Sequence, residues 1–411
     1  MSPAFRLGAV GFGLIAVCYG FARFAFGLFL PRIDADLGLG STLAGAIAGG
    51  SFLGYCLAII ASASLTERMG ARAVAVGAAL VAAVGMAGIA MAPNAVWLAA
   101  AVMIAGSSTG LASPPMAAAV SAVVRRDRRD ATNSAINAGT SAGVALSGPV
   151  ALMITGQWRL AFAAFAVLAL GLAVATARSV PRTPSRRDVG PKPERQPERQ
   201  PERQNDVGRN GARRDPRPAR GLPTLTDDLA RLIAAAFLMG AASTALWSFG
   251  GQLLSLRFGW DARGIGIFWT AIGTAGIAGA WAGGLVSRFG INRLHLTFLG
   301  IMASGMVAAG SAAATPASAL IGGALFGAAY VMLTGIYLIW GVSALPHRPA
   351  TGLMVGFLTI AIGQTIGAPL FGILMDGLGA DPAVLTFATL GMTAALARCR
   401  SHASAIMGEC H

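Results

Sequence analysis

Stretches of about twenty apolar residues with almost no charge recur along this chain, and each is long enough to cross the hydrocarbon core of a bilayer. Backbone polar groups in lipid must be satisfied within the chain, and the runs show no alternation of period two, so spanning helices are favoured over a barrel. Apolar residues fill 55% of the 411 positions and charged residues 12%, which excludes a soluble domain. Runs bounded by turn signals lie near 8–31, 43–64, 73–92, 95–120, 133–155 and 159–178, then near 229–254, 263–286, 293–313, 317–342, 351–376 and 383–398. Pro31, Ala92-Pro93-Asn94, Gly156-Gln157, Thr315-Pro316 and Asp381-Pro382 read as breakers or helix starts. The expected fold is all-α, with twelve transmembrane helices in two pseudo-symmetric bundles of six.

The two halves repeat at an offset of 220 residues. Leu65, Arg68 and Gly70 in Ser64-Leu65-Thr66-Glu67-Arg68-Met69-Gly70 recur as Leu285, Arg288 and Gly290. The same offset carries Pro149, after Gly148, onto Pro369, two residues after Gly367. One offset thus aligns two separate landmarks, and a half-and-half repeat in so apolar a chain points to a transporter. Expected units are 1–179, a linker at 180–226, 227–398 and a tail at 399–411.

The net charge of +14 does not imply nucleic acid, because the basic residues lie in loops between apolar runs. Arg68, Arg72, Arg125, Arg126, Arg128, Arg129, Arg288, Arg293, Arg348, Arg398 and Arg400 fall on one side, together with the central linker. By the positive-inside rule that side is the cytoplasm and holds both termini. Asp34, Asp36, Asp261, Asp376 and Asp381 mark the opposite side. A bacterial cytoplasmic membrane is the expected location, with the first helix uncleaved. The linker, with three copies of Pro-Glu-Arg-Gln from Pro193 to Gln204, reads as an extended tether; its interleaved glutamates weaken an anionic-lipid role.

Small residues one turn apart, as in Gly45/Gly49, Gly50/Gly54, Gly106/Gly110, Gly139/Gly143, Gly279/Gly283 and Gly363/Gly367, allow close helix packing. Gly148, Pro149, Gly367 and Pro369 join this packing set. Cys18, Cys56, Cys399 and Cys410 make no disulfide framework, and free thiols are expected.

The repeat, the helix count and the Glu67-Arg68-x-Gly70-x-Arg72 turn resemble the major facilitator superfamily over nearly the whole chain. That turn usually reads Gly-x-x-x-Asp-Arg-x-Gly-Arg-Arg; here Ala63 replaces the glycine and Glu67 the aspartate. The resemblance implies that Glu67 holds a neighbouring helix end and that Arg68 braces a cytoplasmic gate, with Gly70, Arg72 and Arg288 in the same element. Ser287 replaces the acid in the second copy, implying a weaker half of the gate. Gly143 and Gly148-Pro149 resemble a degraded antiporter motif, and the opening helix from Tyr19 to Pro31 resembles the YbfB/YjiJ-type bacterial branch, which brings no defined substrate.

Arg23 is the sharpest candidate for the solute, because a charge inside a span costs at least ~2.5 kcal/mol unless it meets a partner or water. Tyr19, four residues earlier, shares its helical face. A guanidinium forks onto carboxylate or phosphate, so an organic anion is the natural ligand class; the structural alternative is that Arg23 snorkels to the outer interface. Further candidates are Tyr55, Asn137, Trp247, Tyr330 and Gln364, with Asn133, Thr140, Ser141, Tyr337 and Trp269 behind them; each could instead serve packing. Tyr330 and Tyr337 share a face by spacing, Trp97 and Trp158 read as interfacial anchors, and His295 as an interfacial residue. No span holds an acid near its centre, so a coupling proton or ion would need an end residue, a histidine or the solute itself.

No phosphate loop, metal cluster or nucleophile–histidine pairing stands out, so neither enzyme nor cofactor is expected. The leading expectation is a monomeric secondary transporter of a small organic solute, partnered by the bilayer, in which two bundles rock about a midplane site. An exporter of amphipathic compounds is the alternative within the class, and a non-transporting sensor on the same scaffold the alternative outside it.

Overall fold

The computed structural model describes residues 3–154, 157–182 and 225–400. The expected linker, apart from its edges, and the tail beyond Arg400, with Cys410, lie outside the described residues. Ten helices are long and apolar enough to span a membrane: α1 Ala4–Leu37, α2 Gly40–Met69, α3 Ala71–Ala90, α4 Ala95–Val123, α6 Trp158–Ser179, α7 from Asp227–Trp247, α8 Ala262–Phe289, α9 Ile291–Gly310, α10 Pro316–Ala344 and α11 Pro349–Leu378. Two more complete the twelve: α5, running Arg129–Asn137 and then Gly139–Met153, and α12, Ala380–Leu396. After Trp247, α7 breaks at Ser248-Phe249 and resumes as Gly250–Phe258.

Local chemistry sets the ends. Asn94 accepts from the Trp97 amide to open α4, Asp261 accepts from Arg263 and Gly264 to open α8, and Thr315 forms a capping box with Ser318 ahead of Pro316. Pro31, expected to end the first helix, sits inside it; α1 stops at Gly38, whose left-handed φ of 61° suits glycine. The repeat is visible in the backbone: Gly70 and Gly290 separate α2 from α3 and α8 from α9 with φ, ψ of 85°, 154° and 79°, 156°.

Packing repeats too. Helix α2 lies on α4 as α8 lies on α10; α3 packs on α4 and α6 as α9 packs on α10 and α12; α1 meets α5 as α7 meets α11. Contacts between halves are also paired, α5 on α8 and α2 on α11. Glycines make these approaches close. A Cβ on Gly143 or Gly363 would overlap the backbone of Ala16 or Phe237, and one on Gly148 would overlap Gly266. Pro369 sits against Gly45 and Gly49, and Gly367 against Ala241. Gly283, expected in a packing pair, has nothing within 4 Å. The outward faces carry exposed Val84, Val167, Ile321 and Ile373, which suits lipid rather than water.

On the side marked by the acids the halves are sealed together. Asp376 of α11 accepts from the amides of Ser41 (3.2 Å) and Thr42 (2.8 Å) and from the Thr42 hydroxyl (2.7 Å), so one half caps a helix of the other. Gln252 of α7 donates to Ser41 Oγ at 3.4 Å in the same seam. Within the halves, Asp36 accepts from Trp158 and Arg159, and Asp381 pairs with Arg257. Trp158 is therefore buried on Asp36 and does not face outward; Trp97 is 49% exposed and donates to the Gly88 carbonyl. Asp376→Asn is expected to weaken the seam by about 1–2 kcal/mol, since the cap loses its charge. Faster thiol labelling at Ser41→Cys in the Asp376→Asn background would register this, and unchanged labelling would contradict it.

Candidate functional site

The middle of α1 departs from the α register. Ala16–Phe24 forms a π-helix, and such segments recur at functional positions. Gly20, inside it, touches the Gly143 backbone of α5 with no room for a side chain. Arg23 near its end is only 7% exposed, so it does not snorkel to an interface.

Its surroundings explain how the charge is held. A terminal nitrogen of Arg23 donates to Gln364 Oε1 at 2.6 Å, joining the first half to the second. Gln364 is fixed in turn, because its amide nitrogen donates to Ser243 Oγ at 3.2 Å and Tyr330 Oη at 3.1 Å. The guanidinium carbon lies 4.5 Å from the Tyr55 ring centre, 4.7 Å from Phe52, 5.1 Å from Phe24 and 5.8 Å from Tyr19, a set of cation–π contacts. Tyr19 bonds Ser113 through its hydroxyl at 3.2 Å. Arg23 Nε is buried without a partner. A charge-bearing donor in that state is costly unless an acceptor arrives.

Room for a solute lies beside Arg23. A cavity of about 350 Å³ adjoins Arg23, walled by both halves. Tyr19, Tyr55, Tyr330 and Gln364 surround its inner end; Ser134, Asn137, Thr140 and Ser141 of α5 with Thr334 of α10 give it an uncharged polar wall. Ile277, Val331, Leu338 and Phe357 supply apolar surface. Among the described residues Arg23 is the only ionisable side chain, tyrosines aside, on this wall. Asn137 and Gly283 are exposed at the mouth, on the side of the arginine-rich loops. The other end is closed by aromatic stacking of Phe24 on Trp247 (4.2 Å) and Trp247 against Tyr330 (5.2 Å), and beyond it by the seam at Gly27, Gly148 and Gly372.

Six sequence candidates therefore meet at one cavity: Arg23, Tyr19, Tyr55, Asn137, Tyr330 and Gln364. Trp247 does not line it but stands behind Phe24 and Tyr330. Trp269 is wholly buried beside Phe268 and does not face it. Tyr337 turns away, bonding the imidazole of His295 at 3.0 Å; His295 is thus buried between Tyr337 and Trp340 rather than interfacial. Sequence reasoning missed Ser243. It stands 220 residues after Arg23, so the repeat offset applied to the arginine would have found it.

Glu67, Arg68 and Arg288 are exposed, Arg72 is half-buried, and none makes an ion pair among the described residues. Ser287 Oγ bonds only its own helix, at the Gly284 carbonyl.

Solved structures similar in fold include the nucleoside transporter NupG, at 13% identity and TM-score 0.70, with 97% of this chain and 98% of that one covered. A bacterial homologue of the human lysosomal transporter Spinster, inward-facing and occupied, aligns at 13% identity and TM-score 0.71, covering 96% of each chain. The xylose transporter XylE from E. coli, partially occluded and inward open, aligns at 15% identity and TM-score 0.71 over 96% and 97%. Among curated protein sequences none matches. The model of the Major Facilitator Superfamily matches residues 12–367, most of the chain and both halves of the repeat. A membrane protein of many spans, built to move a small solute and not to transform it, this chain belongs to the Major Facilitator Superfamily.

Proposed function

We propose that the protein is a secondary transporter of a small organic anion, bound between the halves with its negative group on Arg23. The observation that carries this reading is the buried, unpartnered Nε of Arg23 beside a cavity with no acidic side chain among its described walls. A carboxylate could accept from Nε while Gln364 keeps one terminal nitrogen. Tyr19, Tyr55 and Phe357 fit an apolar or aromatic body, and the polar wall of α5 fits a distal uncharged group. Similar folds among nucleoside and xylose transporters support solute transport without naming this solute.

The same apolar surface favours one rival, export of amphipathic compounds. Lipophilic cations would meet Arg23 with no countercharge, so the anionic reading is preferred. The arginine-rich loops support a cytoplasmic orientation of the open mouth and of both termini, in a bacterial inner membrane. In that orientation the unpaired Glu67, Arg68 and Arg288 belong to an open cytoplasmic gate. The Tyr19–Pro31 helix supports placement in the YbfB/YjiJ-type branch. The fold needs no second copy, so a monomer is proposed.

Thermal unfolding of purified protein against acetate, lactate and benzoate, and against tetraphenylphosphonium and ethidium, tests the reading, because a ligand that binds the native state raises its stability. Stabilisation by an anion, lost in Arg23→Ala, is the expected result. Stabilisation by the cations alone, unchanged in Arg23→Ala, would instead favour amphiphile export.

A further inference from the structure

We infer that this carrier is an exchanger: it reorients only with an anion in the site, so that one anion leaves as another enters. The inference rests on the anionic reading above and adds the mode of transport to it.

The guanidinium of Arg23 is permanently ionised. Its contacts are an amide oxygen and four aromatic rings, all uncharged, and its Nε has none. The acids nearest the seam are engaged elsewhere: Asp34 caps Gly40, Asp36 holds Arg159, Asp376 caps α2 and Asp381 holds Arg257, all on the sealed side. Glu67 is exposed at the opposite end of α2. No described carboxylate or imidazole stands on the cavity wall to neutralise Arg23 or to exchange a proton there; His295 faces Tyr337, away from it.

Movement between two open states passes through one in which both ends are shut. In the present arrangement Arg23, though only 7% exposed, borders a cavity whose mouth is open. Shutting it over an empty site encloses a charge whose own hydrogen-bonding edge is unfilled, and such a charge is strongly disfavoured. A monoanion at Nε removes both penalties at once, making the enclosed site neutral and giving Nε its acceptor. The anion is thus the missing countercharge of the occluded state. A dianion would leave a net charge behind and a neutral solute would leave Arg23 uncompensated, so the inference also fixes the bound species at one negative charge.

Benzoate, a monoanion with an aromatic body that suits the cavity, serves as the probe. Spin labels at Val96→Cys and Ala312→Cys, exposed on the sealed side of opposite halves, are placed in full-length protein whose four native cysteines are replaced by alanine. Pulsed electron resonance then reads the distance across the seam. Ligand-free protein with Arg23 intact should hold the closed distance, with an open share below about one in a hundred, whereas ligand-free Arg23→Met should show an open share of about a tenth or more. Benzoate added to protein with Arg23 intact should bring out the open distance. In proteoliposomes, labelled benzoate should enter vesicles preloaded with benzoate on the order of tenfold faster than empty ones.

A ligand-free protein that already holds both distances with Arg23 intact would overturn the inference. So would closed distances in both Arg23→Met and Arg23→Gln, the second variant guarding against a folding defect in the first. Failure of every anion in the melting panel would overturn the anionic reading and the exchange with it. That failure appears in melting curves, whereas failure of exchange alone appears in ligand-free distances while anions still stabilise.

Discussion

Gln364→Glu should weaken anion binding at the central site on the order of a hundredfold while the protein melts no lower than before. The substitution keeps the shape of the side chain and puts a carboxylate where an amide oxygen now lies 2.6 Å from Arg23. Arg23 then carries its own countercharge. The neighbouring Ser243 and Tyr330 hydroxyls, which now accept from the amide nitrogen, can rotate to donate to the new oxygen, so no buried group is orphaned. An incoming anion must displace a charge-assisted bond and face a like charge, a loss on the order of a hundredfold, or ~2.7 kcal/mol. Melting curves with and without benzoate provide the measurement. Full benzoate stabilisation in Gln364→Glu would show that the anion does not sit beside this pair. The variant also bears on exchange, since a built-in countercharge should let the empty carrier reorient.

Gly372→Val is expected to drive the protein toward the state opened on its sealed side. A Cβ at Gly372 would overlap the Ser41 carbonyl, and a backbone atom cannot step aside as a flexible side chain would. Only separation of α11 from α2 relieves the clash. Overpacking of this kind costs about 1–3 kcal/mol, and about 1.4 kcal/mol moves a two-state population tenfold. The label pair at positions 96 and 312 should therefore lengthen in the variant at a lower benzoate concentration than in protein with Gly372 intact. An unchanged distance with a lower melting temperature would mean that this contact persists in both states.

Both variants lie at points where sequence and structure meet differently. Helix positions were legible because a charge-free run of twenty residues has few alternatives to spanning a bilayer. The repeat was legible down to Gly70 and Gly290, since both positions need a backbone that only glycine adopts freely. Arg23 stood out by cost alone. Its partner Gln364 was among the polar candidates, but the bond between them joins residues 341 apart, which no local pattern encodes. Tyr337 shares the α10 face of Tyr330 by spacing but lies two turns further along, where it meets His295 and not the cavity. Sequence position misled at Trp247 and Trp158, because an aromatic in an apolar run carries no sign of which neighbour will cover it. Proline misled at Pro31, where the ring is accommodated within the continuing helix.

The π-helix from Ala16 to Phe24 gives α1 two independently phased ends. The i→i+5 bonding of this stretch spreads each turn over more residues than the 3.6 of an α-helix, so each residue turns the chain by less than about 100° and the phase of everything beyond it shifts. The half of α1 before the segment is clocked by its packing on α5 and α6, and the half after it by the need to aim Arg23 at Gln364 and to lay Gly27 on Trp247. A uniform helix would tie those two bearings together. Here the azimuth of the Arg23-bearing end is set separately from that of the first half of α1, so the arginine is aimed without re-packing the rest of the bundle.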